Sequence, residues 1–428
     1  MMAVQFPTSS APSACIVGGG PAGMVLALLF ARRGLGVTVL EAARDFDRAF
    51  RGDTLHPATL ELMEDLGLVE RLLKLDHTRA HCARFISPQR TQVVADFSKL
   101  TSKYPYLAVM AQTRFLTFLL EELARFPHAR VEFGARVEGL IEEGGAVRGV
   151  RYRQGEAVHE LRAALTIGAD GRHSKVRAAS QLPLTRLSPG QDVLWFALPR
   201  CASDPGQSID LYLGGPHCLV TTNHGERWQI GYSIDKGSYA RHRALGVAPV
   251  QEAVRATIPW LANRVHLLSE WRQLNLLSVE VSRLRRWFRP GLLLIGDAAH
   301  PISPIGGLGI NMAIQDAVAC ANCLSGPLLR GRLSVRHLAR VQRVRAWQIG
   351  VLQAQQVVEE REVVSIHGGA KLHLPIQGLN LIHRLPGLRR LPAYLTAYGL
   401  RPVRLSDEYK RGTLRFLQQN GRSPLLPG

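Results

Sequence analysis

The chain has 428 residues, 46% of them hydrophobic and 20% charged, which is typical of a globular protein with roughly two or three domains. Its formal net charge is +19, but the basic residues are scattered and lack the clustering with interleaved aromatics of a nucleic-acid surface. The six cysteines show neither a disulfide framework nor paired metal-site spacing. Without a signal-like N-terminus or an apolar run of about 18 residues, we expect a cytoplasmic protein that has no transmembrane segment, metal or nucleic-acid partner.

The first informative stretch is an apolar strand that runs into a glycine-rich turn and then a helix. After residues 15–17 the turn follows the pattern GxGxxG, with Gly18, Gly20 and Gly23. The first glycine allows the tight bend, the second lets a pyrophosphate approach the backbone, and the third lets the helix pack on the strand. Glu41 ends the next strand, where a carboxylate can bind a ribose. The unit predicts a site for FAD or NAD, and a plain βαβ turn is the alternative.

The following segment predicts elements of both kinds. Apolar positions at helical spacing indicate helices over residues 57–66 and 112–126. Alternating residues 83–97 and 131–161 indicate strands, the second set as a hairpin region. Arg51 lies in the loop before the first of these helices, free to reach a phosphate.

Two later strands each end in a turn that carries an aspartate. Residues 164–169 precede Asp170 and Gly171, and residues 292–295 lead into a Gly-Asp pair with Asp297. An ordinary β-turn is the alternative for Asp170. For Asp297 the alternative is a helix-capping role, because carboxylates favour helix starts.

Between and after these turns the pattern changes. Residues 181–282 alternate as strands and predict an inserted mixed sheet, a natural wall for a substrate pocket. A glycine-rich loop over residues 303–309 leads to a helix predicted over 310–324, and a longer helix is predicted over 335–364. His300, a loop histidine beside proline, is expected to be structural.

These elements predict an α/β fold made of a Rossmann-like domain, an inserted mixed β-sheet domain and C-terminal helices. We expect residues 1–75, 106–180 and 283–330 to form the dinucleotide-binding domain. Residues 76–105 and 181–282 would form the substrate-binding sheet, and residues 331–428 the C-terminal helical region.

The three strand–turn motifs at Gly18, Asp170 and Asp297, in this order and spacing, resemble the FAD-dependent aromatic hydroxylases of the para-hydroxybenzoate hydroxylase type, the group A flavoprotein monooxygenases. The resemblance covers most of residues 14–360. It implies that NAD(P)H reduces FAD and that O2 then forms a flavin C4a-hydroperoxide, which hydroxylates an aromatic or polyketide-like small molecule. Only one complete GxGxxG occurs, so NADPH or NADH would bind transiently in a surface groove.

The resemblance also implies cofactor roles for matching residues. The ADP half of FAD would be held at Gly18, Gly20, Pro21, Ala22, Gly23, Glu41 and Ala42. Its phosphates would meet Arg51 and Gln112. Asp170 and Gly171 would serve FAD and the passing nicotinamide, and Asp297 the ribityl or pyrophosphate region. The isoalloxazine would lie against Pro304, Gly307, Gly309, Ile310 and Asn311. A helix start there would stabilise an anionic reduced flavin by about 0.3–1 kcal/mol.

Two other hypotheses remain open from the sequence. The Leu-, Pro- and Arg-rich tail over residues 372–405 would suit a membrane-surface enzyme that acts on a quinone or isoprenoid. A non-catalytic flavin-binding protein could keep the same scaffold. No catalytic residue is predicted. The aromatic residues that could line a pocket must divide between two faces of the strands; they are Trp195, Tyr212, His217, His224 and Tyr232.

Overall fold

The computed structural model describes residues 12–47, 53–188, 190–213, 217–367 and 389–410. Its strands, in chain order, are β1 (Ala14–Val17), β2 (Val37–Glu41), β3 (Thr54–Leu55), β4 (Thr78–Ala80), β5 (Cys82–Ser87), β6 (Arg90–Asp96), β7 (Leu107–Val109), β8 (Ala129–Phe133), β9 (Ala135–Glu143), β10 (Ala146–Gln154), β11 (Ala157–Arg162), β12 (Leu165–Gly168), β13 (Leu184–Ser188), β14 (Asp192–Pro199), β15 (Ser208–Tyr212), β16 (Leu219–Asn223), β17 (Arg227–Ile234), β18 (Asn275–Ser278), β19 (Val281–Leu284), β20 (Phe288–Arg289) and β21 (Leu292–Leu294). Its helices are α1 (Pro21–Arg32), α2 (Pro57–Asp65), α3 (Val69–Leu72), α4 (Gln112–Leu123), α5 (Lys175–Ser180), α6 (Tyr239–Leu245), α7 (Ala248–Thr257), α8 (Leu308–Leu329), α9 (Val335–His367) and α10 (Leu391–Tyr398). The mixed α/β class predicted from the sequence is confirmed.

The sheet that carries the motifs has the strand order β20-β21-β12-β1-β2-β8. All of its strands run parallel except β20, which pairs antiparallel with β21. Strands β1, β2, β12 and β21 are buried along their whole length, so their sequences are continuous apolar runs rather than alternating ones. The order reverses at β1, which has β2 on one side and β12 on the other. Sheets of this kind bind ligands beyond the strand ends at such a reversal.

Helix α1 follows the glycine turn and is buried throughout its middle. Residues 22–31 are all inaccessible, because the helix contacts α4, α8 and the strand β2. An all-round apolar sequence is what a helix enclosed in this way requires. The first turn of α1 is thereby fixed at the edge of the parallel sheet.

The largest sheet has seven strands in the order β18-β14-β17-β16-β15-β5-β6. Its neighbours are antiparallel except β5 and β15, which pair in parallel and join two distant segments of the chain. One face packs on α7 and the turns around it, and that core includes Leu194, Phe196 and Leu198. The opposite face lies toward β7 and α10, since Ile209 packs on the cluster that holds Val109 and Ala393.

The C-terminal helices differ in length from those predicted. Helix α8 begins at Leu308 rather than at residue 310 and continues to Leu329 with Pro327 inside it. Helix α9 extends to His367. Residues 368–388 and 411–428 of the predicted tail lie outside the described residues. Within the described ranges, no helix combines the length and apolar character needed to cross a membrane.

Candidate functional site

The three motif turns leave adjacent strand ends at the same level of the parallel sheet. Val17 pairs with Leu40 on one side and with Gly168 on the other, and Gly168 pairs with Leu294. The backbone ladder continues one step beyond the strands, because Ile295 N donates to Gly168 O at 2.9 Å. Since parallel strands point their carboxyl ends the same way, the fold brings all three predicted turns together at one edge.

The three glycines of the first turn differ in how closely other protein atoms approach them. Gly18 has φ +106°, and a Cβ there would lie 2.4 Å from the Ala169 carbonyl oxygen. A Cβ on Gly23 would lie 2.0 Å from the Gly18 carbonyl oxygen. At Gly20, by contrast, φ is −76° and no protein atom lies within 4 Å of the Cβ position. The fold itself therefore needs Gly18 and Gly23, whereas Gly20 only keeps the space above the turn clear.

The Glu41 carboxylate is bound by backbone N–H groups, one of which belongs to the glycine-rich turn. Its two carboxylate oxygens accept hydrogen bonds from Gly19 N and Ala43 N, both at 2.8 Å, and its side chain is buried. Pro21 is the first residue of α1, where its missing N–H costs nothing. Ala42 is exposed beside Glu41. A carboxylate oxygen can accept more than one hydrogen bond, so Glu41 keeps acceptor capacity for a ligand hydroxyl.

Asp170 organises the second turn. Its carboxylate accepts hydrogen bonds from Ser174 Oγ at 2.5 Å and Val176 N at 3.1 Å, so it holds the start of α5. Burial raises the pKa of this carboxyl against those hydrogen bonds. Gly171 follows with φ +78°, a left-handed conformation that glycine adopts without strain. The turn is thus rigid and half-buried, with acceptor capacity on a desolvated carboxylate.

Asp297 lies in the first turn of a short 3-10 helix, Gly296–Ala298, but its side chain contacts an arginine and caps no described backbone N–H. Its Oδ2 lies 3.3 Å from Arg172 Nε, and its carbonyl oxygen accepts a hydrogen bond from Arg177 Nη1 at 3.1 Å. The capping alternative considered for Asp297 does not describe this contact. Both arginines belong to the second motif, so they join the second and third turns across a long stretch of sequence. Sequence reasoning missed both, although their place beside Asp170 was a usable signal.

A buried ionic cluster holds the third turn in place. Asp316 accepts hydrogen bonds from Gly296 N at 2.9 Å and Arg345 Nε at 2.7 Å, and His300 Nε2 lies 2.6 Å away. Burial alone would raise the pKa of the Asp316 carboxyl, but His300 and Arg345 together lower it to about 2. All three side chains are almost completely buried. His300 is part of this buried cluster, and its structural role stays a prediction.

The glycine loop before α8 is held on two sides. Gly307 caps the helix with φ +64°, and a Cβ there would lie 2.6 Å from Thr54 Oγ1. From the other side, Gln356 of α9 binds the backbone N and O of Ser303 at 3.0 and 3.1 Å. Pro304 and residues 307–310 remain half-buried. This helix start therefore presents N–H donors that have no acceptor inside the helix.

Asn311 cross-links this helix to β3 and α2 through its side chain. Its Oδ1 accepts hydrogen bonds from His56 N at 2.9 Å and Thr59 Oγ1 at 2.8 Å, and its Nδ2 donates to Thr54 O at 3.0 Å. Only its backbone had been considered from the sequence. Ile310, one residue earlier, is half-buried on the first turn of α8.

His56 places an unpaired acceptor beside the same loop. Its Nδ1 lies 2.8 Å from the Thr396 carbonyl oxygen, and since a carbonyl only accepts, Nδ1 carries the proton. Burial lowers the pKa of His56 to about 4. Its Nε2 is buried without a hydrogen-bond partner among the described residues and lies 3.8 Å from the Cβ position of Gly307.

The predicted phosphate contacts are only partly described. Arg51 lies outside the described residues. Gln112 begins α4, and its backbone hydrogen-bonds the carboxylate of Asp53. Asp53 Oδ2 also lies 3.1 Å from His224 Nε2, in the turn between β16 and β17. Burial raises the pKa of Asp53 despite this contact. The buried pair joins the seven-stranded sheet to the segment that leads into β3, a link that the sequence did not suggest.

Strand register decides on which face of the seven-stranded sheet each aromatic residue lies. Tyr212 and Tyr232 belong to the core with α7. Trp195 lies on the opposite face, where a Cβ on Gly231 would come within 2.9 Å of its ring. His217 packs on Tyr232 with ring centroids 4.4 Å apart.

Trp195 begins a row of residues that cross five strands in register on that opposite face. The pairs are Trp195 with Gly231, Gly231 with Val220, Val220 with Leu211, and Leu211 with Phe85. We call these five residues the apolar row. Val220, Leu211 and Phe85 are only half-buried, although each is apolar. The row is therefore a hydrophobic surface that is buried at Trp195 and Gly231 and partly exposed from Val220 to Phe85.

Glycine- and aspartate-bearing turns at the ends of adjacent parallel strands define a dinucleotide-binding protein of Rossmann type. The FAD binding domain family matches residues 12–348. The chain belongs to the FAD-dependent aromatic hydroxylase family, as the motifs had indicated. It is an FAD-dependent monooxygenase, an oxidoreductase whose reductant is NAD(P)H.

Known proteins resemble the chain over nearly its whole length. A 6-methylpretetramide 4-monooxygenase of Streptomyces rimosus is 37% identical over 402 residues, which cover 93% of this chain and 95% of that protein. The crystal structure of PqsL, a probable FAD-dependent monooxygenase of Pseudomonas aeruginosa, gives a TM-score of 0.70 at 22% identity and covers 84% of this chain and 97% of its own. The flavin-dependent brominase Bmp2 gives a TM-score of 0.75 at 14% identity and covers 96% of this chain and 100% of its own. At these low identities the two structures establish the fold alone.

Proposed function

We propose that this monooxygenase hydroxylates a flat, polycyclic aromatic polyketide. The observation that carries the proposal is the apolar row, a half-buried hydrophobic surface that crosses five strands. With strands about 4.8 Å apart, the row extends for about 19 Å, which suits fused rings better than a single ring. The resemblance to a 6-methylpretetramide 4-monooxygenase supports the same substrate class.

The row also has a shape that suits a planar ligand. Gly231 lets Val220 and the Trp195 ring pack closely over the sheet, because a Cβ there would lie 2.8 Å from Val220 and 2.9 Å from the ring. An aromatic ring laid over the row would gain apolar burial and contact with the indole face. We accordingly take residues 76–105 and 181–282 as the substrate-binding sheet and residues 331–428 as the C-terminal helical region.

For the cofactor we propose a cradle built from the three turns. The space above Gly20 suits a pyrophosphate, because no protein atom lies within 4 Å of its Cβ position, and the first turn of α1 directs N–H groups there. Glu41 would bind the ribose. Asp297 would bind the ribityl or pyrophosphate region, and Asp170 would also meet the passing nicotinamide. Residues 1–75, 106–180 and 283–330 make up this cofactor side.

When bound, FAD supplies the redox chemistry, taking electrons from NAD(P)H and activating O2. The chain's own residues bind, orient and exclude water. The N–H donors at the start of α8 favour negative charge on a group beside them, by about 0.3–1 kcal/mol or more when half-buried. No side chain needs to act as nucleophile, in keeping with the absence of a GxSxG sequence.

The test is turnover of the FAD-loaded enzyme across a substrate panel. Linear tetracyclic and tricyclic phenols should accelerate NAD(P)H oxidation and yield products that gain one oxygen atom from labelled O2, with little peroxide release. A single-ring phenol such as para-hydroxybenzoate serves as the matched control and should uncouple the enzyme. If single-ring phenols were hydroxylated as efficiently as tetracyclic ones, the proposed substrate class would be wrong.

The alternative of a membrane-surface enzyme acting on a quinone or isoprenoid is not favoured by these relatives. Much of the tail that suggested it lies outside the described residues. Vesicle co-sedimentation of the full chain is the direct check. Binding that disappears when residues 372–428 are removed would revive that hypothesis.

A further inference from the structure

A polar cavity of about 620 Å³ lies at one end of the seven-stranded sheet, apart from the three motif turns. It is lined where β14 and β16 end, where β15 begins, and along β4. Its cationic side chains are Arg79 and Arg200, with His77 and His81 beside them, and its lining includes no Asp or Glu. We call this cavity the arginine pocket.

The two arginines are held in place without carboxylate partners among the described residues. The Arg79 guanidinium lies 4.7 Å from the centroid of the Tyr106 ring, a cation–π contact. Arg200 packs with Nη2 3.4 Å from the Cβ position of Gly206, and its buried Nε has no hydrogen-bond partner in the described part of the chain. An enclosed guanidinium N–H without an acceptor is unfavourable, and an oxyanion would satisfy it.

Carboxylates close to the pocket are already engaged. Asp76, next to His77, forms an ion pair with Arg114 at 2.9 Å. Asp204 pairs with Arg264 and accepts a hydrogen bond from Trp228 Nε1 at 2.8 Å. Asp76 and Asp204 therefore do not neutralise the positive charge of the pocket, whereas many other surface arginines of this chain have carboxylate partners.

The walls of the pocket are cross-linked before any ligand arrives. Thr78 Oγ1 donates to Asn223 O at 2.5 Å, and Asn223 Nδ2 donates to Gly206 O at 2.9 Å. His81 N donates to Gln207 O at 2.8 Å. These bonds tie β4 to the ends of β15 and β16, so little conformational entropy remains to be lost when a ligand binds.

The pocket is also linked by direct contacts to the glycine loop before α8. Asn223 precedes His224, which meets Asp53 at 3.1 Å, and the next residue, Thr54, hydrogen-bonds Gly307 O at 3.3 Å. These residues connect the wall of the pocket to the loop that borders the proposed flavin position.

From these contacts, the geometry points to the arginine pocket as the site that binds phosphate of the nicotinamide reductant. The planar guanidinium fork matches phosphate oxygens. NADH and NADPH both carry a pyrophosphate, and NADPH adds a third phosphate. An acidic enol or carboxylate of the organic substrate shares the same oxyanion chemistry, so the experiment must separate the two sources.

The experiment uses the full, FAD-loaded chain with Arg79→Gln, Arg200→Gln and the double variant. Arg243→Gln is the matched control, because Arg243 is an exposed arginine of α6 outside the pocket. Binding of inorganic pyrophosphate is measured by calorimetry, and KM is measured for NADPH, NADH and the organic substrate. Each pocket variant should weaken pyrophosphate binding about tenfold and raise the KM for the reductant with kcat, FAD content and melting temperature retained.

Two results would overturn the assignment. Pyrophosphate binding equal in the double variant and the control would show that the pocket holds no phosphate. A rise confined to the KM of the organic substrate would show that the pocket binds the substrate and not the reductant. The first result does not depend on the proposed substrate class, because pyrophosphate binding needs no turnover.

Discussion

Replacing Gly20 by alanine separates what the fold needs from what the cofactor needs. Gly20 has φ −76° and ψ −178°, a conformation open to alanine, and no protein atom lies within 4 Å of its Cβ position. The apoprotein should therefore fold normally. Its free energy of unfolding should change by less than about 1 kcal/mol, because the restriction that alanine places on the unfolded chain is offset by its lower preference for the N-cap of α1, the position that Gly20 occupies.

Binding of FAD to the same variant should be much weaker. The new methyl group would project into the space proposed for the pyrophosphate and would remove one close backbone hydrogen bond to a charged oxygen. Such a bond contributes about 1.5–3 kcal/mol, so the dissociation constant of FAD should rise about 10- to 150-fold. Gly23→Ala is the contrasting variant. Its Cβ would lie 2.0 Å from the Gly18 carbonyl oxygen, so the apoprotein itself should lose about 1–3 kcal/mol of stability.

The measurements are urea unfolding of the apoproteins and titration of FAD by flavin fluorescence. The reasoning fails if Gly20→Ala destabilises the apoprotein as much as Gly23→Ala does. It also fails if Gly20→Ala binds FAD as tightly as the original chain, because the pyrophosphate would then not pass over Gly20.

Four further predictions concern the substrate surface and three buried ionisable groups. Gly231→Ala would press on Val220 and the Trp195 ring, at 2.8 and 2.9 Å; steady-state kinetics should show a several-fold higher KM for the aromatic substrate, with FAD affinity unchanged. Arg345→Met should lower the free energy of unfolding by about 3–5 kcal/mol, because it leaves the buried carboxylate of Asp316 without its arginine partner. Urea unfolding measures this change. His56 has a folded pKa of about 4 against 6.5, so its unfolded form binds more protons and stability should fall by about 3 kcal/mol as pH drops from about 6.5 to 4. Asp316 has a folded pKa of about 2 against 3.8, so its stabilisation is present above pH 3.8 and is lost as pH falls toward 2. Urea unfolding measured across pH checks both statements. His56→Asn should abolish the loss of stability in the higher of the two pH ranges and should leave the loss in the lower range, which is assigned to Asp316.

The parts of the site that sequence predicted are those encoded by neighbouring residues. Gly18, Asp170 and Asp297 each follow an apolar strand, and a parallel sheet necessarily brings such turns to one edge. The start of α8 was misplaced because Gly307 caps it in a left-handed conformation, and nothing nearby resembles the usual Ser, Thr or Asp cap.

Contacts between distant residues could not be predicted in this way. The pairing of Arg172 with Asp297 and of Arg345 with Asp316 depends on packing that no local pattern records. The division of aromatic residues between two faces also required register. A shift of one residue in β14 would have exchanged Trp195 for its neighbours on the core side.

The parallel pairing of β5 with β15 has a consequence for how the protein is made. Cys82 and Ser208 are neighbours in the sheet although more than a hundred residues separate them in the chain. During synthesis β5 and β6 emerge long before their partner, and such non-local pairing is slow to form. Until β15 arrives, an unpaired strand edge is exposed to other nascent chains. Production of this enzyme should therefore benefit from slow expression at low temperature more than helical proteins of the same size do.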